Sequence, residues 1–341
     1  MQVGINYAWK NYGWDFGLPP QKNSGSNWGA RAAWQPTIDK ELAEFVEIGF
    51  FCLRWFLLGD GTTYGVGAER PHLDPRGNGQ WRFDSPPKIS DEFLEDFARL
   101  LRACEAAGIQ LLPSLVDFHL CFPGITIPGS DGIVKSGRQD VLIDPHKRAQ
   151  FFDGVLRPLL RVAAEHRKSI YAFEVMNEPE WCTRLPGVAG DLLSPNKTVP
   201  LADMRAFLSE GASIINEAGF LSTVGFAMHP TLHLWDSPGL GLTLHQFHFY
   251  AEPQLIPPHN FDPRWPVIVG EFATAPHRPW PDLGGAQDVV SRLRHIEAKG
   301  YPAAFLWSAN REEEHSADPT SPVAVDYSEA NRALIRKYIR G

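Results

Sequence analysis

The sequence predicts an α/β fold of the (β/α)8, or TIM barrel, class, formed by a single domain over residues 1–341. Short runs rich in β-branched and aromatic residues recur along the chain, and most are followed by a segment with helical periodicity. Many of these runs are almost continuously apolar, as expected for parallel strands that are buried on both faces. A chain of 341 residues also suits one barrel with long loops.

Eight strands are predicted in chain order, and each ends in or beside polar residues. Their approximate bounds are residues 3–7, 50–56, 110–117, 170–176, 221–227, 242–249, 267–271 and 303–308. No internal repeat, low-complexity tract or linker divides the chain. The strand pattern therefore predicts one closed barrel.

Apolar stripes at helical spacing predict the helices between the strands. Ser90 is placed to cap the helix whose apolar face includes Phe93 and Phe97. Similar stripes predict helices near residues 38–46, 204–215, 289–296 and 334–338. Gly154 and Pro158 interrupt the helix predicted over 151–162, and only a short segment, 232–235, is available after the fifth strand.

The long connections all follow a strand, which places them on the carboxyl-terminal face of a parallel barrel. They cover residues 10–35, 57–89, 119–144 and 180–200. Active sites of this fold are built on that face. The sequence therefore predicts a site enclosed by these loops.

Charge and composition exclude several classes of partner. The net charge is −8, and no run of Lys and Arg is present that would follow a phosphate backbone, so no nucleic-acid partner is expected. No window approaches the roughly 18 apolar residues of a membrane span, so no membrane association is expected. No signal peptide is recognised, which predicts a cytoplasmic protein, although secretion of a trimmed chain stays open. The four cysteines lack CxxC spacing and are expected to be free thiols.

Polar residues at the ends of the predicted strands form one candidate set. Arginine and glutamate are rarely buried without partners, so their presence at the ends of apolar strands indicates mutual pairing at one site. The set consists of Arg54, His119, Asn177, Glu178, His248, Tyr250, Glu271 and Trp307.

Two carboxylates in this set suggest hydrolysis of glycosidic bonds. Glu178 stands in Asn177-Glu178-Pro179 and Glu271 in Gly270-Glu271-Phe272, both at abrupt ends of strands. If they lie about 5 to 5.5 Å apart, one attacks the anomeric carbon while the other protonates the leaving oxygen, and the anomeric configuration is retained.

These two motifs resemble those of clan A retaining glycoside hydrolases, particularly family 5, which includes cellulases and mannanases. The eight residues of the set match that family's active-site residues in type and in order over nearly the whole chain. Met176 departs from the pattern, because many members have Trp before the Asn. The resemblance implies a retaining β-glycosidase acting on β-linked gluco- or manno-configured oligo- or polysaccharides, with no metal or other cofactor.

By the same resemblance, Glu178 would be the general acid/base and Glu271 the nucleophile. Asn177 would bind the sugar 2-hydroxyl, and His248 would lie beside the acid. Tyr250 would hydrogen-bond the nucleophile, and Trp307 would floor the subsite of the cleaved sugar, since an aromatic face suits the apolar face of a pyranose. Arg54 and His119 would support the site.

Other residues near the strand ends are interpreted singly. Glu174 lies inside the fourth strand and is predicted to be a structural carboxylate, and Glu180 a loop charge. Trp55 and Trp265 are predicted to pack in the interior. Possible outer sugar subsites are Trp9, Trp14, Trp28, Trp181 and Trp280.

Other functions stay open at this point. A metal-dependent hydrolase could use Asp117, His119, His245 and His248, but neither a His-x-His on the first strand nor close Cys or His spacing supports it. No glycine-rich phosphate loop supports a nucleotide-binding enzyme. The alternatives that share the predicted site are a transglycosylase, since the same covalent intermediate can react with a sugar hydroxyl, and a non-catalytic carbohydrate-binding barrel.

Overall fold

The computed structural model describes most of the chain. It covers residues 1–9, 15–17, 31–59, 72–73, 81–83, 86–126, 134–185, 194–251, 253–260, 264–272, 289–309, 327 and 329–341.

Eight parallel strands close into a barrel, as the sequence predicts. They are β1 (Gln2–Asn6), β2 (Cys52–Phe56), β3 (Gln110–Asp117), β4 (Phe173–Asn177), β5 (Ser222–Phe226), β6 (His245–Phe249), β7 (Val267–Phe272) and β8 (Ala303–Leu306). Each strand pairs with its neighbours in chain order, and β8 pairs with β1 to close the ring. The fold is a (β/α)8 barrel.

Helices follow most strands and cover the outside of the barrel. They are α1 (Arg31–Ile48), α2 (Asp91–Ala107), α3 (Asp140–Ile143), α4 (Pro145–Phe151), α5 (Arg157–Glu165), α6 (Leu201–Glu217), α7 (Thr231–Leu234), α8 (Val289–Ala298) and α9 (Glu329–Arg340). In the described part of the chain, no helix is both long and apolar enough to cross a membrane.

Several local predictions are confirmed. The Ser90 hydroxyl accepts the Phe93 N–H at 3.2 Å and caps α2. The irregular segment around Gly154 is a π turn, Phe152–Leu156, between α4 and α5. The helix after β5 is reduced to the four residues of α7. The four cysteines are free and buried.

Other boundaries differ from the prediction. The loop predicted through residue 35 ends earlier, because α1 begins at Arg31 with strong helix formers that carry no apolar stripe. The fourth strand begins at Phe173 rather than residue 170, where Ile170 forms only an isolated bridge with Leu111. Trp55 is buried as predicted, whereas Trp265 is 37% exposed and does not pack in the interior.

The inside of the barrel changes from apolar to polar along the strands. Cys52, Leu112, Ala172, Leu244, Ile268, Ala303 and Phe305 form an apolar cluster. Residues two positions further along several of these strands point to the same side and are polar, for example Arg54 after Cys52 and Glu174 after Ala172. The polar layer therefore lies toward the carboxyl ends of the strands, below the loops.

Short pairs of residues in extended conformation organise three of the long loops. His72–Leu73 pairs with Trp81–Arg82 after β2, and Ile125–Thr126 pairs with Val134–Lys135 after β3. After β4, Thr183–Arg184 pairs with Val199–Pro200.

Candidate active site

Arg54 is the centre of a buried network at the carboxyl end of the barrel. Its guanidinium is fully buried and donates to five acceptor atoms at 2.6 to 2.8 Å. The acceptors are Asn6 Oδ1, both carboxylate oxygens of Glu174, Asn177 Oδ1 and Glu271 Oε1. Burial lowers the pKa of Arg54, but the two carboxylates more than offset this and keep it above its ordinary value. Arg54 is therefore charged.

Glu174 anchors this network, as the sequence predicts for a structural carboxylate. In addition to Arg54, it accepts from the Ser114 hydroxyl at 2.6 Å and from the Gln246 side-chain amide. The residue is completely buried. A buried carboxylate with this many donors holds the arginine in place, because leaving either charge without a partner would be costly.

Glu271, near the carboxyl end of β7, belongs to the same network and is also buried. Arg54 Nη1 lies 2.6 Å from its Oε1, the Tyr250 hydroxyl donates to its Oε2, and His248 Nδ1 lies 3.4 Å from Oε2. Burial raises the pKa of Glu271, while His248, Arg54 and the Tyr250 hydrogen bond oppose the rise. The pKa of Tyr250 is raised well above its usual value, chiefly by burial, so the phenol stays a donor.

Glu178 lies directly after β4 and is held by its backbone. Its N–H donates to the Gly225 carbonyl at 2.7 Å, and its φ of 43° and ψ of 55° place it in the left-handed region. A non-glycine residue in that region carries strain that the surrounding structure must impose. The side chain is therefore presented from a fixed turn, the 3₁₀ turn Pro179–Trp181.

The side-chain environment of Glu178 differs from that of Glu271. Oε1 lies 2.7 Å from His248 Nδ1, and Oε2 accepts from the Trp181 indole at 2.8 Å. No arginine or lysine among the described residues forms an ion pair with Glu178. Burial raises the pKa of Glu178 to about 7, against the lowering effect of the Trp181 hydrogen bond. The two carboxyl groups thus differ in their hydrogen-bond partners: Glu271 is bonded to Arg54 and Tyr250, whereas Glu178 is bonded to His248 and Trp181.

His248 lies between the two carboxyl groups. One oxygen of Glu178, one oxygen of Glu271 and one ring nitrogen of His248 all lie within 4.8 Å of one another. Burial lowers the pKa of His248 to about 4, so the ring is neutral near pH 7 and donates through one N–H. These three side chains could also supply ligand atoms to a metal ion, whereas His245 lies apart and is bonded to the Ser237 hydroxyl at 2.6 Å.

Asn177 connects the centre of the network to the loop after β3. Its amide donates to Asp117 Oδ2 at 2.8 Å, and Asp117 Oδ1 accepts the backbone N–H of His119 at 2.9 Å and contacts its ring. Burial raises the pKa of Asp117, but its contacts with His119 and Asn177 outweigh this and lower it. The His119 side chain is 46% exposed, so it faces the opening.

Aromatic side chains lie at the carboxyl ends of β8, β1 and β2, which are neighbours in the barrel. The ring of Phe56 lies 4.9 Å from the Arg54 guanidinium, and the Trp307 and Trp9 ring centroids lie 6.2 and 5.8 Å from that of Phe56. A cis peptide bond joins Trp307 to Ser308. Trp181 is 45% exposed beside Glu178. The other predicted subsite residues, Trp14, Trp28 and Trp280, lie outside the described residues.

The structure thus brings the predicted set together. Hydrogen bonds join Arg54, Asn177, Tyr250 and Glu271, and a further one joins Glu178 to His248, whose ring lies 3.4 Å from Glu271. His119 is joined through Asp117, and Trp307 lies at the edge.

Sequence reasoning missed several members of the network. Asn6 and Gln246 lie in buried strands and bond to Arg54 and Glu174. Asp117, considered from the sequence only as a possible metal ligand, accepts a hydrogen bond from the Asn177 amide. The signal was available, because a polar residue in an apolar strand is the same pattern that identified Asn177. Glu180 is a correction: predicted to be a loop charge, it is only 8% exposed and accepts the Ala227 N–H at 2.9 Å. Its burial depends on the approach of β5, which local sequence does not reveal.

Comparison with known proteins gives structural similarity at low sequence identity. No protein-family model matches the sequence, and no curated protein sequence matches it. An endo-1,4-beta-mannanase from Eisenia fetida has a TM-score of 0.68 and 20% identity, covering 100% of this chain and 91% of its own. A beta-mannanase from the blue mussel Mytilus edulis has a TM-score of 0.65 and 19% identity, covering 99% and 91%.

A third solved structure is the GH5_18 protein from Streptomyces cattleya in complex with Manβ1-4GlcNAc. Its TM-score is 0.63 at 16% identity, and the match covers 99% of this chain and 80% of that one. The three similarities extend over nearly the whole chain. They show that these proteins and this chain share the (β/α)8 barrel.

Proposed function

We propose that this protein is a retaining β-glycosidase of the glycoside hydrolase family 5 type, with Glu271 as nucleophile and Glu178 as general acid/base. One observation carries the proposal: two carboxyl groups present oxygens within 4.8 Å of each other, with a different set of partners for each. This upper limit on one oxygen–oxygen distance is compatible with the roughly 5–5.5 Å between the carboxyl groups of retaining enzymes, whereas an inverting mechanism needs about 6.5–9.5 Å to admit a water molecule.

In the first step, a Glu271 oxygen forms a bond to the anomeric carbon as the bond to the leaving oxygen breaks. Glu178 gives its proton to that oxygen. Arg54 and Tyr250 favour this division of roles, because each donates a hydrogen bond to Glu271 and stabilises negative charge on it. A pKa of about 7 lets Glu178 hold a proton near neutral pH.

In the second step, water attacks the anomeric carbon and the bond to Glu271 breaks. Glu178, now a carboxylate, takes the proton from that water, so its starting state is regenerated. Two inversions at the anomeric carbon give net retention. The neutral His248 supports both states of Glu178 through its hydrogen bond to Oε1.

We propose β-linked manno-configured saccharides as the first substrates to test, followed by gluco-configured ones. Two of the solved structures compared above are mannanases, and the third was solved with a disaccharide that begins in mannose. Asn177 is held in place by Arg54 and Asp117. By the family resemblance it would bind the sugar 2-hydroxyl, the group whose orientation distinguishes mannose from glucose.

The test is hydrolysis of aryl β-glycosides and β-1,4-linked manno- and gluco-oligosaccharides. The wild type is compared with Glu178→Gln and Glu271→Gln, and with Glu217→Gln as a control on the exposed surface of α6. We expect the wild type and the control to cleave one series, and both active-site variants to fail on the oligosaccharides. Binding of the sugars without cleavage by the wild type would instead favour a carbohydrate-binding barrel.

A further inference from the structure

Trp181 has a contact that the proposed roles do not use. Its indole Nε1 donates to Glu178 Oε2 at 2.8 Å, although its side chain is 45% exposed. The backbone of the turn is fixed by hydrogen bonds from the Cys182 N–H and the Thr183 hydroxyl to the Pro179 carbonyl, at 3.3 and 2.7 Å. The indole therefore reaches Glu178 from a rigid turn.

The two oxygens of Glu178 are held in different ways. Oε1 faces His248, which is only 2% exposed, so this side of the carboxyl group is closed. Oε2 faces the exposed indole, so this oxygen lies on the side that a substrate can reach. An indole N–H can donate a hydrogen bond but cannot accept one. The indole therefore stabilises the ionised carboxylate of Glu178 and cannot accept a hydrogen bond from the protonated carboxyl group.

We propose that Trp181 is a positioning residue that sets the proton affinity of Glu178 by donating to Oε2. The role in turnover rests on the proposed glycosidase function. The leaving oxygen of the substrate replaces the indole at Oε2 when Glu178 acts as an acid. The indole returns to Oε2 once the carboxylate has formed, and it stabilises the base that activates water.

The remaining charges around Glu178 do not substitute for this contact. Burial raises its pKa, and the hydrogen bond from Trp181 is the largest influence that lowers it. Among the described residues, the other titratable or charged groups around the site are the acids Asp117, Glu174, Glu180 and Glu271, the cation Arg54, the neutral His248 and Tyr250, and His119 beside Asp117. A change confined to Trp181 leaves all of them in place.

The test measures the titration of Glu178 directly, without requiring activity. Protein labelled with ¹³C at the glutamate carboxyl carbons is titrated by NMR as wild type and as Trp181→Phe, and Glu178→Gln identifies the resonance. Phenylalanine keeps the aromatic ring but removes the N–H. We expect the titration midpoint of Glu178 to rise by about 1 pH unit, because the variant loses a hydrogen bond that stabilises the ionised carboxylate.

Trp265→Phe is the matched control, since Trp265 is also partly exposed, at 37%, and makes no contact with Glu178 in the described structure. The titration midpoint of Glu178 in Trp265→Phe should equal that in the wild type. An unchanged midpoint in Trp181→Phe would overturn the proposal. Trp181→Leu, which also lacks the N–H, provides a second variant, and it too must raise the midpoint.

The pH dependence of kcat/KM on an unactivated disaccharide gives the catalytic readout. The alkaline limb requires protonated Glu178, so a raised pKa moves this limb to higher pH in Trp181→Phe. A wild type without activity would refute the glycosidase proposal while the NMR titration still decides the role of Trp181. An active enzyme whose alkaline limb stays in place in Trp181→Phe would overturn the role of the indole in turnover.

Discussion

Replacing Arg54 by methionine tests whether the buried network is organised around one charge. Methionine keeps an unbranched apolar side chain of similar length but removes all five hydrogen bonds of the guanidinium. Glu174 and Glu271 then remain buried without their cation. Removing one partner of a buried ion pair costs about 3–5 kcal/mol, a large part of the roughly 5–15 kcal/mol that stabilises a typical protein.

The loss should depend on pH. The pKa of Glu271 in the folded chain already lies above its ordinary value, chiefly through burial, and Arg54 opposes this rise. The stability associated with such a group is complete below the unfolded-state pKa and is lost as pH rises through the folded-state pKa. Removing Arg54 raises the folded-state pKa of Glu271 further, so the loss of stability extends to higher pH and becomes larger. The deficit of the variant relative to wild type should therefore be smallest at acid pH.

Urea denaturation of Arg54→Met at pH 5 and pH 7.5, followed by fluorescence and circular dichroism, measures this effect. Arg157→Met is the control, because Arg157 pairs with Asp153 on the surface, where the two side chains are 46% and 70% exposed. The control should lose less than about 1 kcal/mol. If Arg54→Met lost no more than the control at pH 7.5, or lost more at pH 5 than at pH 7.5, the reasoning would be wrong.

Three further perturbations follow from the same geometry. Glu178→Ala should slow hydrolysis of oligosaccharides by roughly 10²–10⁴-fold yet spare the first step with aryl glycosides whose leaving group needs no proton, as a burst measurement would show. Gly225→Ala should lower kcat while leaving the circular dichroism spectrum intact, because the added Cβ would lie 3.0 Å from Arg54 Nη2 and 3.1 Å from His248 Nε2. Burial raises the pKa of Glu180 to about 8, so the wild type should lose stability as pH rises from about 4.5 to 8, where the unfolded chain ionises more readily than the folded one. Glu180→Gln cannot ionise at this position and should not show this loss. Urea midpoints across this pH range test the last prediction, and parallel curves for the two proteins would contradict it.

The barrel could be predicted because its strands carry their own signal. Parallel strands buried on both faces give short apolar runs, and each of the eight runs overlaps a strand of the structure. The starts of α1 and β4 were less well predicted. These boundaries depend on helix propensity and strand pairing rather than on an apolar stripe.

The candidate site was predictable where a strong polar group ends an apolar strand. Glu178 and Glu271 meet this description, Arg54 lies within β2, and the structure places all three in one network. The burial of Glu180 and the Trp181 contact with Glu178 depend on a turn whose left-handed residue is not glycine, so the sequence carries no marker for it. Tertiary contacts, not local pattern, determine these two features.

Trapping of the covalent intermediate is the most direct test of the central claim. The wild type is incubated with a 2-deoxy-2-fluoroglycosyl fluoride of the preferred sugar, digested with protease and analysed by mass spectrometry. The proposal predicts loss of activity together with one fluoroglycosyl group on the peptide that contains Glu271, and no such adduct in Glu271→Gln. A label on Glu178, or continued hydrolysis without any adduct, would contradict the assignment of Glu271 as the nucleophile.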